Sequence, residues 1–383
     1  MIDINNVRAE IDAIDRQLVD LFLKRLEIVG QVAASKRERG APVYDPARER
    51  EILARVTQAV GPEYENGARL FFSTLFSISK ARQRALLHGD SPLVRRVRDA
   101  VRAARGRTFP THAMVACAGT EGSYAQQAAC LMFPAPTLIY FNDFERVFEA
   151  VEQGLCPYGI LPIENSGAGS VAAVYDLMLK HRFHIVRARR LKIDHVLLAP
   201  AGVALADVRE VSSHPHALAQ CKEFFRRHPQ IRQTAGLNTA LAAKELAASG
   251  RRDRAVIASR ACAELYGLEV VAEGVQDAAF NYTRFICIAK DLEIYPDANK
   301  FSVMLSLPHR PGALNGIISK FAAIDVNLTK LESRPIPGMD FEFRFTFEFE
   351  SAPDDPNVLC LLAELASDPE IEHFDFLGAY AER

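Results

Sequence analysis

The sequence predicts a multidomain chain: an all-α segment, then an α/β segment, then a small α+β segment. Three observations predict it. Residues 4–36 carry an apolar seam at heptad spacing. Residues 112–291 alternate short apolar strands with helical stretches. Five phenylalanines, Phe341, Phe343, Phe345, Phe347 and Phe349, alternate strictly with polar residues. The 383 residues suffice for two or three well-formed cores. A net charge of −2 gives no global signal for nucleic acid. Seven scattered cysteines without a CxxC pair read as reduced, buried thiols rather than disulfides or zinc ligands, and no metal is expected. No run of 18 apolar residues occurs and the N-terminus is charged, so neither a membrane span nor a secretory signal is expected, and cytoplasm is the default.

The seam runs through Ile4, Val7, Ile11, Ile14, Leu18, Leu21, Ile28 and Val32, stepping alternately by three and four, and Arg25 fills its one polar slot. Such a seam is coiled-coil-like. A helix of about 35 residues runs roughly 50 Å, too long for the remaining short helices to cover, so it is expected to pack against a second copy. A guanidinium in that core must be paired or it costs several kcal/mol. It is either a register-fixing polar residue or an anion site inside a helical dimer.

Arg25 and Lys36 lie eleven residues apart on one face, roughly 16 Å along the axis, and could close on one small ligand. Arg8 is roughly 26 Å from Arg25 and about 100° round the helix, so it reaches the same ligand only from a partner chain. After a break at Gly40-Ala41-Pro42, Asp45-Pro46 reads as the start of a second helix, with Arg48 and Glu49 in its first turn. A third helix over about 66–88 places Ser79 and Gln83 four apart on one side. Alone, Asp45 reads as a cap and Arg48 and Glu49 as a solvated pair. Together, Arg8, Arg25, Lys36, Asp45, Arg48, Glu49, Ser79 and Gln83 resemble the all-helical chorismate mutase family over residues 1–90. The resemblance implies an interlaced dimer in which one arginine crosses into the neighbour's site. It also implies carboxylate contacts from Arg25 and the partner's Arg8, with Lys36 and Gln83 at the ether oxygen. Glu49 and the Asp45 backbone would meet the hydroxyl, and Arg48 and Ser79 would complete the pocket. The rearrangement of chorismate to prephenate needs only a folded substrate and charge placed where the ether bond breaks.

Residues 95–107 hold six arginines and one aspartate. With no aromatic residue interleaved, this run within 91–111 reads as a solvated helical linker rather than a nucleic-acid patch.

Over 112–291 the alternation predicts an α/β domain. Met114–Ala118 reads as a strand, then Gly119 to Ser123 and a helix. Gly159–Ile163 reads as another, then a loop from Glu164 and Asn165 to Ser170 and a helix. Ser213-His214-Pro215 and Asn238-Thr239 read as further helix starts. Four such turns, each pointing backbone N–H groups past a strand end, favour a carboxylate-bearing ligand. Gly167 to Ala172 fits G-x-G-x-x-A, but three residues separate it from the strand. The strand after Phe183 runs into Arg187, Arg189 and Arg190 instead of ending on an acid, so nicotinamide is not expected.

Asn281-Tyr282-Thr283-Arg284-Phe285 runs into the apolar strand Ile286–Ala289. With Pro162-Ile163-Glu164-Asn165, Ser213-His214-Pro215 and Asn238-Thr239, this segment resembles the prephenate dehydratase family across 112–291. The resemblance implies two lobes closing over prephenate and a catalytic threonine, Thr283, which helps protonate the departing hydroxyl as the ring carboxylate leaves as CO₂. Aromatisation drives the step, so the protein need only position the substrate and aid the leaving group. Arg284 is then a candidate carboxylate clamp. Cys117 and Ala118 stand where the family more often has an aromatic and a polar residue, which reads as packing variation.

In 299–383 the phenylalanine strand reads as one buried and one wet face. Strands at 301–307, 326–332 and from 373, with helices from 312 and near 356–366, complete the order β-α-β-β-α-β, the ferredoxin-like sandwich. Gly312, Ala313, Leu314 and Asn315 open its first helix, and Glu332, Ser333 and Arg334 end its second strand. Both turns resemble the regulatory ACT domain of phenylalanine-controlled dehydratases, which implies that phenylalanine binds between paired domains. The chain has no tryptophan, and Phe341 stands in for the usual one.

The sequence thus reads as a bifunctional, cofactor-free enzyme taking chorismate and prephenate, regulated by phenylalanine and homo-oligomeric, without nucleic-acid or membrane partners. One alternative keeps the dehydratase and makes the helical domain a dimerisation module. Another is a two-lobed amino-acid sensor without catalysis, against which Thr283, Arg284 and Glu164 count.

Overall fold

A computed structural model describes residues 3–39, 43, 45–88, 91–278, 280–336 and 342–383. Gly40-Ala41-Pro42 and Phe341 therefore lie outside the described residues. Contacts divide the chain into two units, Met1–Arg95 with Pro356–Ile371, and Arg96–Asp355 with Glu372–Arg383.

The first unit is helical. The heptad seam becomes α1 (Ile4–Arg39), followed by α2 (Pro46–Val60) and α3 (Glu65–His88). Asp45 caps α2 by accepting from the Arg48 amide at 3.0 Å, and Pro46 follows where a missing N–H costs nothing. In α1 the buried side chains are Val29 and Ala33, whereas Ile11, Ile14, Leu18, Leu21 and Ile28 are exposed. Among the described residues, the apolar seam positions Ile4 and Val32 are likewise exposed. α4 (Pro92–Ala103) follows, and Val94 and Val97 on it are buried.

The second unit is built on two sheets. Its elements are β1 (Met114–Ala118), α5 (Tyr124–Met132), β2 (Thr137–Phe141), α6 (Phe144–Glu152), β3 (Tyr158–Asn165), β4 (Gly169–Ser170), α7 (Ala172–His181) and β5 (His184–Lys192). A second lobe holds β6 (His195–Pro200), β7 (Glu210–Ser213), α8 (Pro215–Ala219), α9 (Lys222–Arg227), β8 (Arg232–Ala235), α10 (Thr239–Ser249), β9 (Arg254–Ser259), α11 (Ala261–Tyr266) and β10 (Leu268–Ala272). The chain returns through β11 (Tyr282–Ala289) and continues as β12 (Lys300–Leu307), α12 (Ala313–Ala323), β13 (Leu328–Pro335), β14 (Phe343–Glu350), α13 (Pro356–Ser367) and β15 (His373–Glu382). α13 belongs by its contacts to the first unit, where Arg84 of α3 reaches Asp368 at 3.3 Å and Glu364 at 3.7 Å.

The second lobe's sheet runs β10-β6-β9-β7-β8, and apolar clusters cover both its faces. Among the described residues the other sheet runs β13-β14-β12-β15-β5-β11-β3-β1-β2, with β4 beside β3. β5 and β11 pair antiparallel, and β15 pairs parallel with β5, so the C-terminal strands continue the first lobe's sheet. The junction is tight. Gly378 has φ 146, and a Cβ there would collide with the Ile185 carbonyl oxygen.

The phenylalanine strand departs from expectation. Its apolar side packs as predicted: Phe321 of α12 lies 5.5 Å from Phe347 and 5.0 Å from Phe349 between ring centroids. Its polar side is not wet, for Thr346 and Glu348 are 2% and 1% exposed. Alternation fixed which residues share a face but could not show that Arg284 of β11 would cover the polar one.

Candidate functional site

In the helical unit, Arg25 donates to the Leu75 carbonyl oxygen at 3.3 Å and to the Ser79 hydroxyl, joining α1 to α3. These partners are neutral, and burial lowers the guanidinium's pKa from its ordinary value. Such a cation favours an anionic ligand. Lys36 donates to the Val43 carbonyl oxygen at 2.6 Å. Gln83 is buried, and its carboxamide oxygen has no hydrogen-bond partner among the described residues. Glu49 pairs with Lys80 at 3.1 Å. Lys80 was missed because, directly after Ser79, it carries no periodicity signal. Arg48 pairs with Glu51 at 2.7 Å on the exposed side of α2. Arg8 is exposed on the same helix as Arg25, roughly 26 Å along it, and does not meet that cluster within one chain.

The residues expected to form the dehydratase site meet where β3 and β11 pair. Thr283 sits opposite Asn165 and Arg284 opposite Glu164, and a register shift follows between Arg284 and Phe285. Such bulges re-aim side chains. Asn165 Nδ2 donates to Thr283 Oγ1 at 2.9 Å and to Asn281 Oδ1 at 2.8 Å. Its Oδ1 accepts from the amides of Gly167 at 2.9 Å and Ala168 at 3.0 Å, which fixes the carboxamide with its nitrogen towards Thr283. The threonine oxygen is thereby an acceptor, and its own O–H is left to donate elsewhere. Thr283 is 9% exposed.

Sequence reasoning missed Gln220. Its Oε1 accepts from Asn281 Nδ2 at 3.0 Å, and its Nε2 lies 3.5 Å from Asn165 Oδ1. It stands just past the five-residue helix α8, where spacing gives no sign of a role. Through Gln220 the network reaches His195, whose imidazole burial holds neutral with a pKa lowered to about 4. The Tyr124 hydroxyl lies 3.1 Å from His195 Nδ1.

The four anion-binding turns are largely accounted for internally. Ser123 caps α5 by accepting from the Gln126 amide, and Asn238 caps α10 by accepting from the Leu241 amide. His214 accepts from the His216 amide, Ser213 donates to the Ile257 carbonyl oxygen at 2.5 Å, and Thr239 opens α10. Glu164 and Asn165 lie on β3 and pair with β4, so 164–170 is a strand return in which Asn165 takes the loop amides. The expected free N–H groups there are corrected to a filled turn.

Arg284 is corrected as well. It is 5% exposed, and both its terminal nitrogens bind Glu348 of β14 at 2.5 Å, with Glu382 of β15 at 3.3 Å and Glu164 at 3.5 Å. Burial works to lower its pKa, but the Glu348 hydrogen bonds hold it above the ordinary value. Neighbouring residues on a strand point to opposite faces, so Thr283 meets Asn165 while Arg284 meets β14 and β15. Lys330 of β13 lies 3.3 Å from Glu164, 3.1 Å from Glu332 and 2.7 Å from Ser170, and Glu332 accepts from Ser170 at 2.5 Å. Arg334 reaches the Ala172 carbonyl oxygen at 3.2 Å and Asp176 at 3.5 Å, while Ser333 is exposed. Gly312, with φ 85, caps α12 without a side-chain bond, and Ala313, Leu314 and Asn315 form the helix's first turn. Among the described residues no cluster could hold a metal.

The chain thus has a helical unit with a partly buried arginine held between two helices, and a two-lobed α/β unit whose Thr–Asn–Asn–Gln network lies at the strand returning from the second lobe. The family model for prephenate dehydratase matches residues 115–293 and that for chorismate mutase type II matches residues 7–84. Arogenate dehydratase/prephenate dehydratase 2 of Arabidopsis thaliana is 37% identical over 293 residues, covering 73% of this chain and 76% of that protein. A prephenate dehydratase from Arthrobacter aurescens, solved in complex with L-Phe, superposes with TM-score 0.63 at 32% identity, covering 70% of this chain and 89% of that one. A structure described as GqqA, a novel type of quorum quenching acylases, gives TM-score 0.62 at 28% identity over 70% of this chain and 98% of that one. The chain belongs to the prephenate dehydratase family and carries a chorismate mutase type II domain ahead of its dehydratase domain.

Proposed function

We propose that the chain converts chorismate to prephenate in its helical domain, and prephenate to phenylpyruvate, with loss of CO₂ and water, in its two-lobed domain. The observation that carries the dehydratase reading is the Asn165–Thr283 hydrogen bond. It orients the threonine so that its O–H faces the substrate's departing hydroxyl, where a donor lowers the barrier to leaving. The mutase reading rests on Arg25 and Gln83, a cation with neutral partners and a buried unpartnered acceptor on adjoining helices. Arg8 of a second subunit would complete that site, and the exposed seam of α1 is the surface on which the second subunit packs. Each large apolar side chain buried there contributes roughly 1.5–3 kcal/mol.

The C-terminal strands and helices form, in our reading, a ferredoxin-like ACT domain that binds phenylalanine at the Gly312–Asn315 turn and Ser333 between paired domains. Phenylalanine then favours a less active arrangement of the subunits. A complex with L-Phe in the Arthrobacter aurescens relative supports this. Because the Arabidopsis relative's name includes arogenate, that amino acid is the second candidate substrate. Thr283→Ala, which removes a hydroxyl with little volume change, is expected to abolish phenylpyruvate formation, with Thr283→Ser retaining more activity. Equal activity in both variants would refute the role. Parallel assays with prephenate and arogenate decide the substrate.

A further inference from the structure

The contacts of Arg284 and Glu164 lead away from the cleft to the C-terminal sheet. Both residues neighbour the Asn165–Thr283 pair on β3 and β11, and both are held by side chains of β13 and β14: Glu348 takes the Arg284 fork and Lys330 takes Glu164. The Arg284–Glu348 pair is buried, at 5% and 1% exposed, while the Lys330–Glu164 pair is only partly so. An apolar contact could hold two such surfaces equally well. A bidentate guanidinium–carboxylate pair differs in fixing distance and angle, and so transmits a displacement of one strand to the other. Glu332, one residue before Ser333 on β13, reaches Ser170 and Lys330, which makes this strand the shared element between the regulatory turn and the Glu164 contact.

We propose that Glu348 and Lys330 are positioning residues of the dehydratase site, through which the C-terminal sheet sets the placement of Thr283 and Glu164. The regulatory half of this inference rests on the phenylalanine reading above; the positioning half does not. When β13 and β14 shift against the catalytic lobe, Arg284 is drawn with Glu348, and β11 carries Thr283 with it. Neither positioning residue touches substrate.

The test uses the full chain with prephenate as substrate. In Glu348→Gln and Lys330→Met, kcat is expected to fall by at least about tenfold while KM stays within about twofold, since misplacing a reacting group by an ångström costs rate rather than binding. Glu348→Asp, which keeps the charge, should recover part of that loss. Calorimetric titration should show phenylalanine still bound by the variants, with inhibition of the remaining activity lost. Melting temperatures accompany each assay; if Glu348→Gln fails to fold, Glu348→Asp and Lys330→Met decide. Wild-type kcat in the folded variants overturns the proposal. Wild-type enzyme that neither binds nor responds to phenylalanine overturns the sensor reading instead, and leaves the kcat-against-KM result to judge positioning.

Discussion

In the proposed role, Thr283 cannot act by its own acidity; Asn165 holds its oxygen as an acceptor, which leaves the O–H to donate elsewhere. Asn165→Ala should therefore lower dehydratase turnover about as severely as Thr283→Ala, at least ~100-fold, with the fold intact by circular dichroism. Near-normal turnover in Asn165→Ala would leave the threonine's orientation unexplained. In the helical unit, Arg25→Ala should cost mutase turnover at least ~100-fold while dehydratase activity on supplied prephenate survives, because a charge-assisted contact is strongest in the transition state. Normal mutase turnover would make the arginine a register residue. His195 gives a pH signature. Its folded-state pKa is about 4 against an ordinary 6.5, so between those values the unfolded chain binds more protons. Stability is full above pH 6.5 and declines as pH falls towards 4, by about 3 kcal/mol from this group. Denaturant unfolding of His195→Gln between pH 7 and 4.5 should show a shallower decline than wild type.

At the scale of elements, periodicity was a good guide and partnership was not. The seam predicted α1 and the Asp45-Pro46 start of α2, since both signals are local. The alternation of phenylalanines predicted which face of β14 joins the core, as Phe347 and Phe349 show. What lies against the polar face depends on residues more than sixty positions away, and that distance hid the role of Arg284. Glycine-rich 164–170 looked like an anion-binding loop because the sequence does not show Asn165 turning back to take its amides. Gln220 was invisible for the same reason: only the tertiary fold brings α8's end to β3. The β5–β15 junction supplies its own test. Gly378→Ala forces a Cβ against the Ile185 carbonyl oxygen, so it should lower the melting temperature and reduce dehydratase turnover together, as β15 is pushed away from β5. Unchanged melting and turnover would mean that β15 is not a rigid part of the catalytic sheet.

For the whole molecule, the exposed seam of α1 and the span between Arg8 and Arg25 lead to one expectation. Mixing inactive Arg8→Ala and Arg25→Ala subunits should restore some mutase activity, because half the sites of a mixed dimer carry both arginines. No recovery after verified subunit exchange would count against a shared site. The most direct measurement follows chorismate loss and phenylpyruvate formation spectrophotometrically in the wild-type chain and in Thr283→Ala. The wild type should consume chorismate and release phenylpyruvate, and Thr283→Ala should consume chorismate while prephenate accumulates. Chorismate left untouched by the wild type, or phenylpyruvate formed equally fast by Thr283→Ala, would contradict it.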